Sequence, residues 1–459
     1  MRFSDLKKKG FGPPCRALFF ALALLPPVLL IVNVIRFSVD VPFWDQWNFV
    51  PLLGKSFEGE ISFLDLWALH NEHRLFFPRL IMLGFARLSG YDISWELALS
   101  ILLAAAIFIL VLRRARKVFS LLGFQGFFWI APALSLLAFS LHQGENWVWG
   151  WQIQIFLNVL AVAAGLLFLT SPGFNWGKFF GGTVCGVVAT YSFANGLAYW
   201  PLAFLGLMGG TYSGPRKKTT ALTAWVSLTA LVYFSYFFRF RPASPSGEPL
   251  HYFAAHPLEY VQYILEYLGA AIITYQKYAI YFGLFCLILF GWAVRSFLRR
   301  HRNALPAMSP LLLMGTYSLA CAALTGIGRV GFGVTQATSY RYVTFSNLIW
   351  FAILVFLAVE LWEVGTAAKS KRAAWAKRIA LGAVVIIILV LVGRTSYRVG
   401  YRVLKSYHGR LLPARSELLR GQNDELLRRL YIDPGYVREG REVLKKHNLS
   451  VFRGATPPQ

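Results

Sequence analysis

The chain has 459 residues, 56% of them hydrophobic and only 15% charged, with a mean hydropathy of +0.51. That composition excludes a soluble globule with an ordinary solvated surface. The formal net charge of +25 does not point to nucleic acid, because its basic clusters fall between apolar runs: Lys7, Lys8 and Lys9; Arg113, Arg114, Arg116 and Lys117; Arg216, Lys217 and Lys218; Arg295, Arg299, Arg300 and Arg302; Lys369, Lys371, Arg372, Lys377 and Arg378. Short basic loops flanking apolar spans are the topogenic mark of the cytoplasmic side.

The first apolar run, 17–36, is long, contains Pro26 and Pro27 and lacks a small-residue cleavage site, so it is expected as an uncleaved span rather than a signal peptide. It opens onto a first extracytoplasmic loop, 37–93, in which SVDVPFWDQWNF gathers two aspartates and two tryptophans and HNEHR follows. Segment 75–90 is apolar but short and carries Arg79 and Arg87. Counted as a span, it would move the Arg113 cluster outside, so it is expected as a juxtamembrane or re-entrant helix. Further spans are expected near 94–112, 120–140, 153–170, 179–194, 198–212, 219–238, 277–294, 309–326, 343–362 and 379–393, with an interfacial helix at 257–275. The expectation is an all-α polytopic protein of about eleven transmembrane helices in the bacterial inner membrane, its N-terminus cytoplasmic and its C-terminus outside. Residues 1–393 form the membrane domain and 394–459 a small extracytoplasmic helical appendage. Cys15, Cys185, Cys286 and Cys321 lie in or beside spans without metal-type spacing, so no disulfide framework is expected.

On this topology the unusual polar residues share one side. The first loop carries Asp40, Asp45 and His70 to Arg74, the second HQGENWVWGW, the third FANGLAYW, the fourth RPASPSGEPLHYFAAH and the fifth GRVGFGVTQATSYRY. Each piece alone reads as an aromatic belt, a helix-end anchor or a turn. Ionisable groups near hydrocarbon are costly and tend to be paired or functional, and here acidic and basic groups collect on one face. Carboxylates serve as general base or metal ligand, Arg and His hold a departing phosphate, and tryptophan faces stack on sugar rings. At a membrane surface that set describes group transfer from a lipid phosphate.

WDQWNFVPLLGKSFEGE, NEHRLFFPRLIMLGFARLSGYD followed by an apolar span ending in RRARK, and SYRYVTFSNLIWFAIL resemble the motifs of the GT-C superfamily of polyprenyl-phosphate-dependent glycosyltransferases, which includes aminoarabinose transferases and protein O-mannosyltransferases. The resemblance implies a GT-C-like helical bundle with extracytoplasmic juxtamembrane helices, a polyprenyl-phosphate sugar donor and a saccharide, lipid-linked or protein acceptor, all among membrane lipids. It sets Asp45 at the catalytic aspartate position, Gln46 where a second acid usually stands, His73 and Arg74 at the phosphate-binding motif, and Arg341 and Tyr342 at the late Arg-Tyr pair. Asp45 is then the general base of an inverting transfer, with Asp40 as the other candidate, and Arg341, Tyr342, Arg74 and His73 hold the phosphate. Glu72, His70, Glu145, Gln143, Trp44 and Trp47 are left as acceptor or metal contacts. No cofactor is implied with certainty, a divalent Mg or Mn ion being the one option. Asp40 follows Arg36 by four residues and is expected to pair with it if the first helix continues that far.

Three other readings stay open. A flippase or transporter of lipid-linked saccharides calls for charges at mid-membrane depth, which the span centres almost lack. A polymerase calls for a larger late loop than the fifth. A scaffold without chemistry calls for nothing in particular.

Overall fold

The computed structural model describes residues 12–124, 127–241, 249–367 and 371–454. It is helical throughout apart from one two-stranded hairpin, Leu69–His70 with His73–Arg74. Among the described residues eight helices are long and apolar enough to cross a membrane: Pro13–Phe37, Ile93–Leu121, Gly150–Thr170, Pro215–Phe237, Gln276–Arg299, Arg302–Phe332, Tyr340–Val364 and Arg372–Arg420. The chain is an all-α polytopic membrane protein. Tyr340–Val364 is wholly enclosed by the others, whereas Pro13–Phe37 turns most of its surface outward and is suited to lipid.

The other three expected passes are shorter. In 120–140 the helix is Ala131–Ala138, preceded by a 3-10 turn at Phe127–Ile130. Trp176–Thr190 and Tyr199–Met208 represent the other two. At about 1.5 Å per residue, none of these reaches the ~30 Å of a bilayer core as helix alone. Contacts between loops nevertheless require a crossing at each.

Ile93–Leu121 leaves the face that carries the first loop. The Trp149 indole donates to the Phe43 carbonyl at 2.9 Å, which returns residue 149 to that face. After Gly150–Thr170 descends, the Ala194 N–H reaches Nδ1 of His73 at 3.2 Å and returns the chain again. Pro215–Phe237 ends there too, since Arg74 binds the Tyr236 and Phe238 carbonyls, so Tyr199–Met208 must have descended first. The short passes are tolerated because their irregular ends are packed inside protein rather than exposed to lipid. Among the described residues this makes eleven passes, eight on long helices and three on short ones, and residues 396–454 lie on the first-loop face.

Segment 75–90 does not cross. Its helix, Phe76–Ser89, begins after the hairpin and ends at Gly90, whose φ of 68° closes it and whose carbonyl accepts from Ser450. The last span shows no break at 393. It continues through a π-helical turn, Ser396–Gly400, into Tyr401–Arg420. A Cβ at Gly400 would collide with the Leu141 backbone, and the Ser396 hydroxyl accepts from Leu141 N–H at 2.9 Å, so the appendage is locked to the second loop.

Candidate functional site

The first span's helix stops at Phe37, one turn short of Asp40. The expected Arg36 pair therefore does not form, and Asp40 instead accepts from the Ile93 N–H at 3.0 Å and pairs with Arg453. Arg415 donates to the Asp40 carbonyl at 3.2 Å. Asp40 thus fastens the appendage to the start of the second span, and burial raises its carboxyl above the usual range against the pull of Ile93 and Arg453.

Asp45 lies in a 3-10 turn, Trp44–Phe49. Beneath it Gln46 is buried, its oxygen accepting from the Phe43 N–H at 3.2 Å and its amide donating to Glu96 at 2.9 Å. Gln46 is a brace for the turn. Oδ2 of Asp45 faces Nε2 of His70 at 3.5 Å, and His70 stands edge-on to Trp151 with centroids 5.0 Å apart. The Asp45 side chain remains 28% exposed, against 10% for His70, so the carboxylate is the more open member of the pair.

The hairpin brings in Glu72 and His73. His73 is stacked on Phe193 at 4.0 Å. Burial chiefly, with the Arg329 charge, lowers it to about 4 although Glu72 opposes this, so it is neutral at pH 7. Its Nδ1 accepts from Ala194, which leaves the proton on Nε2, 3.6 Å from Glu72. Glu72 in turn takes a 2.6 Å bond from Arg329. Burial would raise its carboxyl, but His73 and Arg329 more than offset this and hold it at about 2.

Arg341 opens the central buried helix from a 3-10 turn, Tyr340–Tyr342. Its charge acts on both Glu145 and Asp45, which stand almost 200 and 300 residues earlier in the chain. Glu145 accepts from the Arg341 N–H and from the Tyr407 hydroxyl, and burial raises its carboxyl despite these bonds. Nε of Arg341 is buried without a hydrogen-bond partner. Tyr342 stacks on Tyr267 at 5.2 Å beside it.

Asp45, His70, Glu72, His73, Glu145, Arg341 and Tyr342 lie on the first-loop face. Three others are structural. Arg74 donates to the carbonyls of Tyr236, Trp67 and Phe238 at 2.7, 2.9 and 2.6 Å, so each of its three nitrogens is engaged in holding backbone. Gln143 is buried, bonded to Thr344 and to the Ala138 carbonyl. Trp47 is fully buried under the appendage, where a Cβ at Gly440 would touch its ring. Sequence reasoning missed Arg329 and Tyr407. Arg329 closes a span only twelve residues before Arg341, a readable signal, whereas nothing in the sequence ties Tyr407 to Glu145.

Among the described residues, the one group of three His, Cys, Asp or Glu side chains close enough to share a metal ion is His301, Glu360 and Glu363, at the opposite face. Arg300 and Lys377 also bind Glu360, so this is an ion-pair network.

The chain matches no family model and no curated protein. Among solved structures it is similar to ArnT from Cupriavidus metallidurans bound to undecaprenyl phosphate, with a TM-score of 0.42 and 14% identity over 94% of this chain and 76% of that one. A likeness of that degree carries no functional statement. The site rests on its own geometry: a half-buried Asp45 carboxylate 3.5 Å from the His70 imidazole, on the same face as the Glu72–Arg329 pair and Arg341.

Proposed function

We propose that the protein is a polyprenyl-phosphate-dependent membrane glycosyltransferase acting on an extracytoplasmic saccharide, lipid or protein acceptor. The observation that carries the reading is that Asp45, 3.5 Å from His70, and Arg341, with its buried and unpartnered Nε, stand on one face at the two motif positions of the GT-C resemblance. Asp45 takes the proton of the acceptor hydroxyl as that oxygen attacks the anomeric carbon. The bond from that carbon to the phosphate oxygen breaks on the opposite side, inverting the centre, and the lipid phosphate leaves with the bonding pair. His70, set 3.5 Å behind the Asp45 carboxylate, orients it.

Arg341, with its unpartnered Nε, and Arg329 meet the negative charge that grows on the leaving phosphate. The carboxylates near them already have partners: Asp45 has His70, Glu72 has Arg329, and Glu145 has Arg341 and Tyr407. The arginines, rather than a divalent cation, neutralise the phosphate in this reading. Basic clusters at the opposite ends of the spans support an outward-facing site.

The test is sugar transfer by the full chain in lipid nanodiscs from a polyprenyl-phosphate sugar, with Asp45→Asn and an EDTA-treated sample alongside. Asp45→Asn is expected to insert and fold but lose transfer by about 10²-fold or more, and EDTA is expected to leave the wild-type rate unchanged. An Asp45→Asn protein with the wild-type rate removes the assignment.

A further inference from the structure

Trp44 immediately precedes Asp45 and sits at φ 46°, in the left-handed region where a bulky L residue is strained. Its N–H is held there by the Leu430 carbonyl at 2.8 Å, so the appendage imposes the conformation. The strain does not serve burial, because Trp44 keeps 38% of its surface while Trp47, three residues on, is fully enclosed.

The exposed indole has aromatic company from the far end of the chain. Tyr431 stands edge-on to Trp44 with centroids 6.3 Å apart, and Tyr436 follows at 5.4 Å from Tyr431. The Tyr431 hydroxyl donates to the exposed Asn48 amide oxygen at 3.2 Å, which leaves the Asn48 NH2 turned to solvent-side partners. Two stretches almost 400 residues apart thus build one surface of three rings and a carboxamide beside the Asp45 carboxylate.

We propose that this surface is a saccharide-binding subsite for the acceptor, an inference that rests on the glycosyltransferase reading and gives the C-terminal segment its role. A sugar ring presents an apolar face of C–H groups and an equatorial belt of hydroxyls. The rings of Trp44, Tyr431 and Tyr436 match the first, and the Asn48 amide with the Tyr431 hydroxyl matches the second. Asp424, Glu425, Arg428 and Asp433, within eight residues of Tyr431 in the chain, are exposed, a polar stretch suited to a hydrated glycan rather than a lipid chain. The Leu430 contact then has a use. It holds the partly exposed indole beside Asp45, the base that the acceptor hydroxyl has to reach.

The experiment is saturation-transfer NMR on the full chain in nanodiscs, with the oligosaccharide pool released by mild acid from the envelope of the producing cell as the probe. Wild type is expected to transfer saturation to sugar ring protons. Tyr431→Ala should reduce the signal about fivefold, equivalent to about 1 kcal/mol and one aromatic contact, and Tyr431→Phe should retain most of it. Trp44→Gly relieves the backbone strain, which offsets part of the packing lost with the indole, so it should stay folded yet lose the signal. The subsite is overturned if wild type gives no transfer, if Tyr431→Ala binds as wild type does, or if Trp44→Gly keeps binding. Polyprenyl-phosphate binding in the same samples separates the failures. Donor binding without glycan transfer sinks this subsite alone, and absent donor binding sinks the glycosyltransferase reading.

Discussion

Arg329 donates to Glu72 at 2.6 Å, joining the tip of the first-loop hairpin to the end of a span 257 residues later. The Glu72 backbone is fixed, its carbonyl accepting from the Tyr236 hydroxyl at 2.7 Å, while its side chain, 39% exposed, is held by Arg329 and His73. In the proposed reaction Glu72 occupies a cation that the donor phosphate would otherwise use. Glu72→Gln is therefore expected to tighten polyprenyl-phosphate binding by about two- to fivefold, the range of a partly exposed ion pair, while Arg329→Ala weakens it. Titration of both variants checks the sign, and weaker binding by Glu72→Gln would show that the carboxylate helps the donor.

The arginines separate by role. Arg74 satisfies three carbonyls, two of which tie the hairpin to the end of Pro215–Phe237, so Arg74→Ala leaves these acceptors without donors. A loss of about 2–4 kcal/mol in stability is expected, seen as a low yield of folded protein. Arg341→Lys should fold normally and transfer slowly, because a point charge replaces a planar fork at the phosphate. Equal yields and equal rates for the two variants would erase the distinction.

Hydropathy and basic clusters sufficed for the eleven passes because each pass must satisfy the same bilayer, whether its helix is long or short. The three short passes were legible as apolar runs, but their helix lengths depend on packing inside the bundle. The site was legible where a motif carries its own chemistry, as for Asp45 and Arg341. It was illegible where a residue's role depends on what faces it. Arg74 and Arg341 look alike in sequence, yet three carbonyls engage one while the other keeps a buried Nε without a partner. Asp40 next to Arg36 suggested a local pair, and a helix end at Phe37 together with the distant Arg453 replaced it.

Acid should destabilise the protein before it changes the charge of Glu72. His73 and His142 are both lowered to about 4, burial being the main cause in each. An unfolded histidine binds its proton near pH 6.5. Between pH 6.5 and 4 the unfolded chain therefore holds more protons than the folded one, and stability falls as pH falls. The effect is of order 3 kcal/mol for each histidine. Melting temperatures in detergent from pH 7.5 to 4 should drop across that window, and His142→Gln, which keeps a partner for Thr274, should flatten the slope. A flat wild-type profile would contradict the neutral, buried assignment.

Gly150 is expected to tolerate no side chain, since a Cβ there would collide with Glu96 and crowd the Gln46 amide. Gly150→Ala pushes apart the Gln46–Glu96 bond beneath the Asp45 turn at a cost of about 1–3 kcal/mol. Transfer should fall more than stability accounts for, because the displaced turn carries the base. A Gly150→Ala protein that melts lower but transfers at the wild-type rate per folded molecule would mean that the Gln46 brace does not govern Asp45.

Asp40 and Asp45 lie five residues apart and should answer the same substitution in opposite ways. Asp40→Asn keeps an oxygen for the Ile93 N–H but loses the charge that faces Arg453, which then relies on Asp92 at 3.0 Å. The expected cost is about 1 kcal/mol of stability with an unchanged rate per folded molecule. Arg453→Ala should cost a similar amount, and the double variant should cost less than the sum, since both changes remove one interaction. Asp45→Asn loses no ion pair of that kind and should melt near wild type while transfer collapses. A folded, inactive Asp40→Asn beside an active Asp45→Asn would exchange the two roles, and additive costs for Asp40 and Arg453 would remove the pair that fastens the appendage to the first loop.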